Sequence, residues 1–162
     1  MDPLLRQEYL PRMTVPSHPW ASVIIPIKDE RDNLVPLIEG LLAVMDSHAT
    51  SRTRPFEIIF VDDGSSDGSG EELDRLAGQH PQIRVFHLDR NYGKTCALDA
   101  GFNQSSGDII IQIDGDLQQD SADILKLLPH TDTHDLVCGW RLERQDGLVK
   151  KLSSRIANRV RN

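Results

Sequence analysis

At 162 residues, with 38% hydrophobic and 27% charged side chains, the chain fits one soluble globular domain with a core of its own. Its net charge of −7 is unevenly spread: from Arg141 onward seven Lys/Arg face two Asp/Glu, so the part ahead carries about −12. A basic end on an acidic body points to an anionic partner at that end, and with no basic stripe interleaved with aromatics it excludes nucleic acid as a partner of the whole.

Residues 1–20 are proline-rich, mixed in charge and without periodicity, which predicts an N-terminal arm. They hold no hydrophobic signal core, and no apolar run anywhere reaches membrane-spanning length. Residues 21–27 are β-branched and form the first predicted strand, ended by Pro26, which cannot donate to a ladder. After a polar loop, Asp32 or Asn33 could cap a helix whose stripe is Leu34, Leu37, Ile38, Leu41, Leu42 and Met45. The second strand runs from Phe56 into Asp62-Asp63-Gly64, followed by a Ser/Asp/Gly turn and a helix over about 70–79. A third strand spans 83–88. The loop Asn91-Tyr92-Gly93-Lys94 then leads into a helix of small residues, 95–103, suited to close packing on a sheet. Residues 109–113 form a continuous β-branched run, read as a buried parallel strand. Ser121 caps a helix that Pro129 ends, residues 136–139 read as a short fifth strand, and 148–161 as a last helix. Strand and helix alternate throughout, which predicts an α/β fold with a doubly wound, mainly parallel sheet and helices on both faces. Cys96 and Cys138 fall in or beside segments expected to be buried, so both are read as packing residues in a reduced, cytoplasmic setting.

The polar residues concentrate at strand ends. The run 109–113 stops at Asp114-Gly115-Asp116. In an extended stretch residues two apart point the same way, so both carboxylates can face one site. With the amide of Gln118 they offer hard oxygens to a divalent ion that keeps waters and also binds a diphosphate. An EF-hand is excluded, because its sixth position would be Gln119 rather than Gly and its twelfth Leu125 rather than Glu. If the strands are parallel, residues 26–30, Asp62-Asp63-Gly64 and Asp114-Gly115-Asp116 share the carboxyl edge of the sheet, where open α/β sheets bind ligands. A solvated acidic rim is the plain alternative. His130 and His134, four apart in a loop, are read as solvated.

The strings VIIPIKDERDNL, IIFVDDGSSDGS, RNYGKTCALDAGF and IIIQIDGDLQQD, in this order and spacing, resemble successive motifs of glycosyltransferase family 2, which has the GT-A fold. The string GWRLERQDGLVKKLSSRIANR resembles its polyprenyl-phosphate branch, the dolichol-phosphate mannose synthase type. The resemblance implies a metal-dependent, inverting transfer of sugar from a nucleotide-diphosphate sugar to a polyprenyl phosphate. It implies that Pro26, Glu30, Asp62, Asp63, Lys94 and Asp114 bind the donor, that Asp116 and Gln118 ligate Mg²⁺ or Mn²⁺, and that Asp116, Arg141 and Lys150 serve catalysis, the last two near the acceptor phosphate. Lys151 or Arg155 could take the place of Lys150. The Q-x-x-R-W string of processive synthases is absent, which favours single transfers. A family member with a soluble or saccharide acceptor, and a nucleotide-sugar-binding module without turnover, are the rival readings.

The expected organisation is an arm (1–20), a nucleotide-sugar-binding domain with an incomplete acceptor half (21–147) and a basic amphipathic helix (148–162). In that helix Leu148, Leu152, Ile156 and Val160 run beside Lys151, Arg155 and Arg159, which suits an anionic membrane surface on the cytosolic side. Members of this branch continue past the S-R-x-A-N string at 154–158, so the chain is expected to be a truncated form, prone to self-association as a homo-oligomer and poor at transfer by itself.

Overall fold

The computed structural model describes residues 5–6, 18–47 and 55–139. The expected basic helix over 148–161 lies outside them, as do Arg141 and Lys150. The chain divides into two units, 1–129 and 130–162. In the first, the elements run β1 (Leu5–Arg6), β2 (Ala21–Ile27), α1 (Leu34–Ser47), β3 (Phe56–Asp62), α2 (Ser69–Ala77), β4 (Ile83–Leu88), α3 (Lys94–Gln104), β5 (Ile109–Gln112) and α4 (Asp123–Leu127). In the second, the described residues after His130, 131–139, are turn and irregular chain, with His134 N bonded to His130 O at 3.1 Å. The expected strand over 136–139 does not form: the four residues are irregular chain, and Leu136 is 81% exposed.

The sheet order is β1-β4-β3-β2-β5. The four longer strands are parallel, and β1 adds to the β4 edge antiparallel, pairing Leu5 with Leu88 and Arg6 with His87. Two residues of the expected N-terminal arm thus form a short strand. Central β2 and β3 are buried almost throughout, as continuous β-branched runs require when both faces are covered. One face carries α1, α2 and α4, whose Leu37, Ile38, Leu41, Leu73, Leu76 and Ile124 pack with Val23, Ile25, Ile58 and Phe60. On the other face Ala97 of α3 joins Ile59 and Val61. The small residues of α3 have a physical reason: a Cβ at Gly101 would stand 2.5 Å from Ile24 Cγ2.

Strand β5 departs from expectation. It is parallel to β2, but it ends the described sheet, and its outward residues Ile110 and Gln112 are exposed. At the amino-terminal end of the sheet, buried Glu57 accepts hydrogen bonds from Ser22 Oγ, Ser106 N and Arg84 Nη1 at 2.7–2.8 Å, which fixes where the chain enters β5.

Candidate functional site

At the opposite end of the sheet, the carboxyl ends of β2, β3 and β5 and the start of α3 enclose a cavity of about 280 Å³. Pro26, Ile27, Lys28, Glu30, Asp63, Asn91, Gly93, Lys94, Asp114, Gly115 and Asp116 line it. Parallel pairing is what gathers them. Ile27 is in register with Asp62, Asp63 N bonds to Ile27 O, and Ile113 N bonds to Ile24 O, so the three acidic strand ends finish side by side. Among the expected site residues the cavity thus brings together Pro26, Glu30, Asp63, Lys94, Asp114 and Asp116.

The loop after β2 is tied to the loop after β3. Lys28 Nζ donates to Gly64 O (2.9 Å) and pairs with Asp29 Oδ2 (2.9 Å). Ser66 N donates to Asp29 Oδ1, Glu30 N to Ser69 Oγ and Arg31 N to Asp67 Oδ2. The Ser66 amide and the Lys28 ammonium hold the Asp29 carboxyl below the usual range. Asp29 keeps a φ of 53°, and Leu117, directly after Asp116, one of 56°. Such strain in residues other than glycine persists only where surroundings over-determine it, which is common at binding sites.

The two acids at the carboxyl end of β3, Asp62 and the following Asp63, have separate duties. Asp63 is 3% exposed, and its oxygens accept from Tyr92 N (2.7 Å) and Gly93 N (2.9 Å), so it braces the loop that begins α3. Asp62 does not line the cavity: Oδ1 accepts from Ser65 N (2.9 Å), and Oδ2 faces His87 Nδ1 (3.0 Å). Burial alone would raise the Asp62 pKa, but the bonds from His87 and Ser65 outweigh it and lower it. His87 also reaches Asp74 with Nε2 (3.1 Å). The bond to Asp62 leads a set of contacts with both carboxylates that outweighs burial and raises the imidazole pKa to about 9.

His87 was not legible in the sequence. Nothing in a strand reading Ile-Arg-Val-Phe-His-Leu marks its fifth residue; only the register that places it opposite Asp62 does. A raised folded-state pKa stabilises the fold fully below the unfolded value near 6.5 and ceases to do so as pH passes about 9. Wild-type stability is therefore expected to fall between pH 6.5 and 9.5 by roughly 2 kcal/mol more than that of His87→Asn, after allowance for solvent screening. Urea unfolding across that range measures it, and parallel curves for the two proteins would contradict the assignment.

The Asp114-Gly115-Asp116 segment is a turn beyond the end of β5, so both carboxylates reach the cavity through the turn and not through strand alternation. Gly115 is closely packed, since a Cβ there would lie 2.4 Å from Ile27 Cδ1, a buried side-chain tip that would have to move. Asp114 N donates to Gln119 Oε1 (2.9 Å), so the side chain that braces the turn is the neighbour of the expected Gln118. Gln118 is exposed and outside the cavity lining, and its backbone N–H donates to Asp116 Oδ1 (3.1 Å). Across the cavity mouth Lys94 Nζ donates to Asp114 Oδ1 at 2.6 Å. Among the described residues no three His, Cys, Asp or Glu side chains converge as a metal cage. Two hard carboxylates beside a cavity with two lysines fit instead an ion whose remaining ligands are diphosphate oxygens and water. Cys96 and Cys138 are both exposed, contrary to their expected packing role: α3 meets the sheet through Ala97 and Gly101 rather than Cys96, and Cys138 stands in irregular chain.

The family model of glycosyl transferase family 2 matches residues 22–160. Among curated proteins, the undecaprenyl-phosphate 4-deoxy-4-formamido-L-arabinose transferase of Edwardsiella ictaluri is 41% identical over 142 residues, 86% of this chain and 42% of that protein. The protein of the same name from Yersinia enterocolitica is 42% identical over 139 residues, 85% of this chain and 41% of that protein. The chain thus spans about four-tenths of the length of these relatives. Among solved structures, the mannosyltransferase PcManGT of Pyrobaculum calidifontis, in complex with GDP-Man and Mn²⁺, aligns with a TM-score of 0.55 at 23% identity, over 68% of this chain and 31% of that one. Residues 1–349 of TarS from S. aureus align with a TM-score of 0.56 at 22% identity, over 71% of this chain and 33% of that one. These likenesses show the fold, the GT-A arrangement expected from the motifs.

Proposed function

The chain belongs to glycosyltransferase family 2, and on that premise we propose that it carries the donor side of an enzyme that moves a sugar from a nucleotide diphosphate to a polyprenyl phosphate. The observation that carries this reading is the single cavity rim on which Glu30, Asp63, Lys94, Asp114 and Asp116 meet. That the relatives from Edwardsiella ictaluri and Yersinia enterocolitica are undecaprenyl-phosphate 4-deoxy-4-formamido-L-arabinose transferases supports undecaprenyl phosphate as the acceptor and a 4-deoxy-4-formamido-L-arabinosyl group as the sugar.

The chemistry suits these groups. An acceptor phosphate oxygen attacks the anomeric carbon, the bond from that carbon to the diphosphate breaks, and the nucleoside diphosphate leaves with the bonding pair, inverting the centre. A phosphate acceptor is already ionised near neutral pH, so the protein needs cations to position it and no strong base. Asp114 and Asp116 would hold Mg²⁺ or Mn²⁺, with Gln118 within sequence reach of the same turn. The bound ion would supply charge neutralisation at the diphosphate leaving group. Lys28 and Lys94 line the cavity and add positive charge where the leaving group gathers negative charge. Asp63 presents Tyr92 and Gly93 to the donor by holding their amides, and Asp62 supports the same rim through Ser65. Arg141 and Lys150 remain the proposed acceptor-side cations. The alternating basic and apolar rows of 148–161 support peripheral docking on an anionic, cytosolic membrane face, and self-association of the chain belongs to the same proposal.

Titration of the full chain with UDP, GDP and their sugar conjugates, with and without Mn²⁺, tests the donor reading. At least one nucleotide is expected to bind more tightly with the metal than without it, and a silent panel would overturn the reading.

A further inference from the structure

The pair between Lys94 and Asp114 bridges two fixed backbones with one movable side chain. The amide of Gly93, next to Lys94, is held by Asp63 Oδ2 and Asn91 Oδ1, both at 2.9 Å. The amide of Asp114 is held by Gln119. Between them the lysine, 52% exposed, spans the cavity mouth on a flexible four-carbon stem. The other lysine lining the cavity, Lys28, is tied to Gly64 O and Asp29 instead. Asp114 therefore already has a cation at 2.6 Å, on the carboxylate pair assigned above to a divalent ion.

A second cation approaching Asp114 and Asp116 must displace that ammonium or endure its repulsion. A diphosphate entering the cavity removes the conflict, because it gives the ammonium an anion in exchange for the carboxylate. Resting on the donor reading above, we propose that Lys94 is an exchangeable internal counter-ion, which weakens cation binding at Asp114 and Asp116 until a diphosphate takes the lysine over. Metal and nucleotide then bind with positive coupling beyond their direct contact. The coupling is reciprocal by linkage, so each tightens the other by the same factor.

The test measures Mn²⁺ binding to the full chain from the spectrum of the free ion, alone and with saturating UDP or GDP, for wild type, Lys94→Gln and Lys94→Arg. Lys94→Gln is expected to bind Mn²⁺ alone about fivefold more tightly than wild type, the upper range for an exposed ion pair. The factor by which the nucleotide tightens Mn²⁺ should fall by a similar amount, while Lys94→Arg, which keeps the charge, should resemble wild type. A neutral lysine replacement that binds Mn²⁺ no more tightly, or that keeps the full nucleotide factor, overturns the proposal. If wild type binds Mn²⁺ with a nucleotide and only the Lys94 comparison fails, the donor reading survives. If wild type binds neither, both fall together.

Discussion

Asp116→Ala is expected to abolish Mn²⁺-dependent nucleotide binding while leaving the fold intact. The carboxylate stands in the turn after β5 and lines the cavity with Asp114, whose own charge is shared with Lys94. Asp116 is thus the acid of the pair that no lysine partner compensates among the described contacts. Its removal takes away a hard oxygen ligand and one negative charge, and Asp114 alone cannot hold both an ammonium and a divalent ion. A loss on the order of a hundredfold in metal-dependent affinity is expected, equivalent to about 2.7 kcal/mol. The structural cost is small, because the side chain accepts one exposed bond, from Gln118 N at 3.1 Å. Calorimetry with Mn²⁺ and the best nucleotide, paired with circular dichroism, gives the answer. Unchanged affinity in a normally folded variant would remove Asp116 from the metal site.

Gly64→Ala should produce the largest loss of stability among changes near the cavity, roughly 2–4 kcal/mol. Gly64 follows the two acids of β3 at a φ of 66°, a region that costs an L-residue about 1–2 kcal/mol. Its absent Cβ would also lie 2.6–2.8 Å from backbone atoms of Arg90 and Asn91. Backbone cannot swing aside as a side-chain tip can, so the loop holding Asn91 and Gly93 would have to shift. Asp63 could not then keep both the Tyr92 and Gly93 amides, and the cavity rim would move with them. Gly93→Ala is the control. Nothing lies within 4 Å of its Cβ position, but at φ 91° and ψ 154° it occupies a region that is nearly glycine-only, so its loss is backbone strain without a clash. Urea unfolding of both variants measures the losses, and a loss at Gly64 no greater than the roughly 1–2 kcal/mol of its left-handed backbone would show that the close approach there is relieved cheaply.

Much of this architecture is a local matter, and local matters are readable along the chain. β-branched runs bounded by turn residues marked 21–27 and 83–88 as strands, and the apolar stripe from Leu34 to Met45 marked α1, because side-chain period and branching act over a few residues. The motif order placed three acidic strand ends on one edge, and parallel pairing put them there. The tertiary structure decided what depends on partners distant in sequence. Strand order made β5 a border with Ile110 exposed, where its composition matched a buried strand equally well. Register set His87 against Asp62 and so turned that carboxylate from the cavity, while Asp63, one residue on, faced it. The conformation of one turn chose Gln119 over Gln118 as the brace for Asp114. Leu5–Arg6, in a segment without any strand pattern, pairs with the β4 edge, while the apolar run 136–139 is irregular chain. A strand is stabilised by the edge beside it, and neither the existence nor the position of that edge is written in the residues that use it.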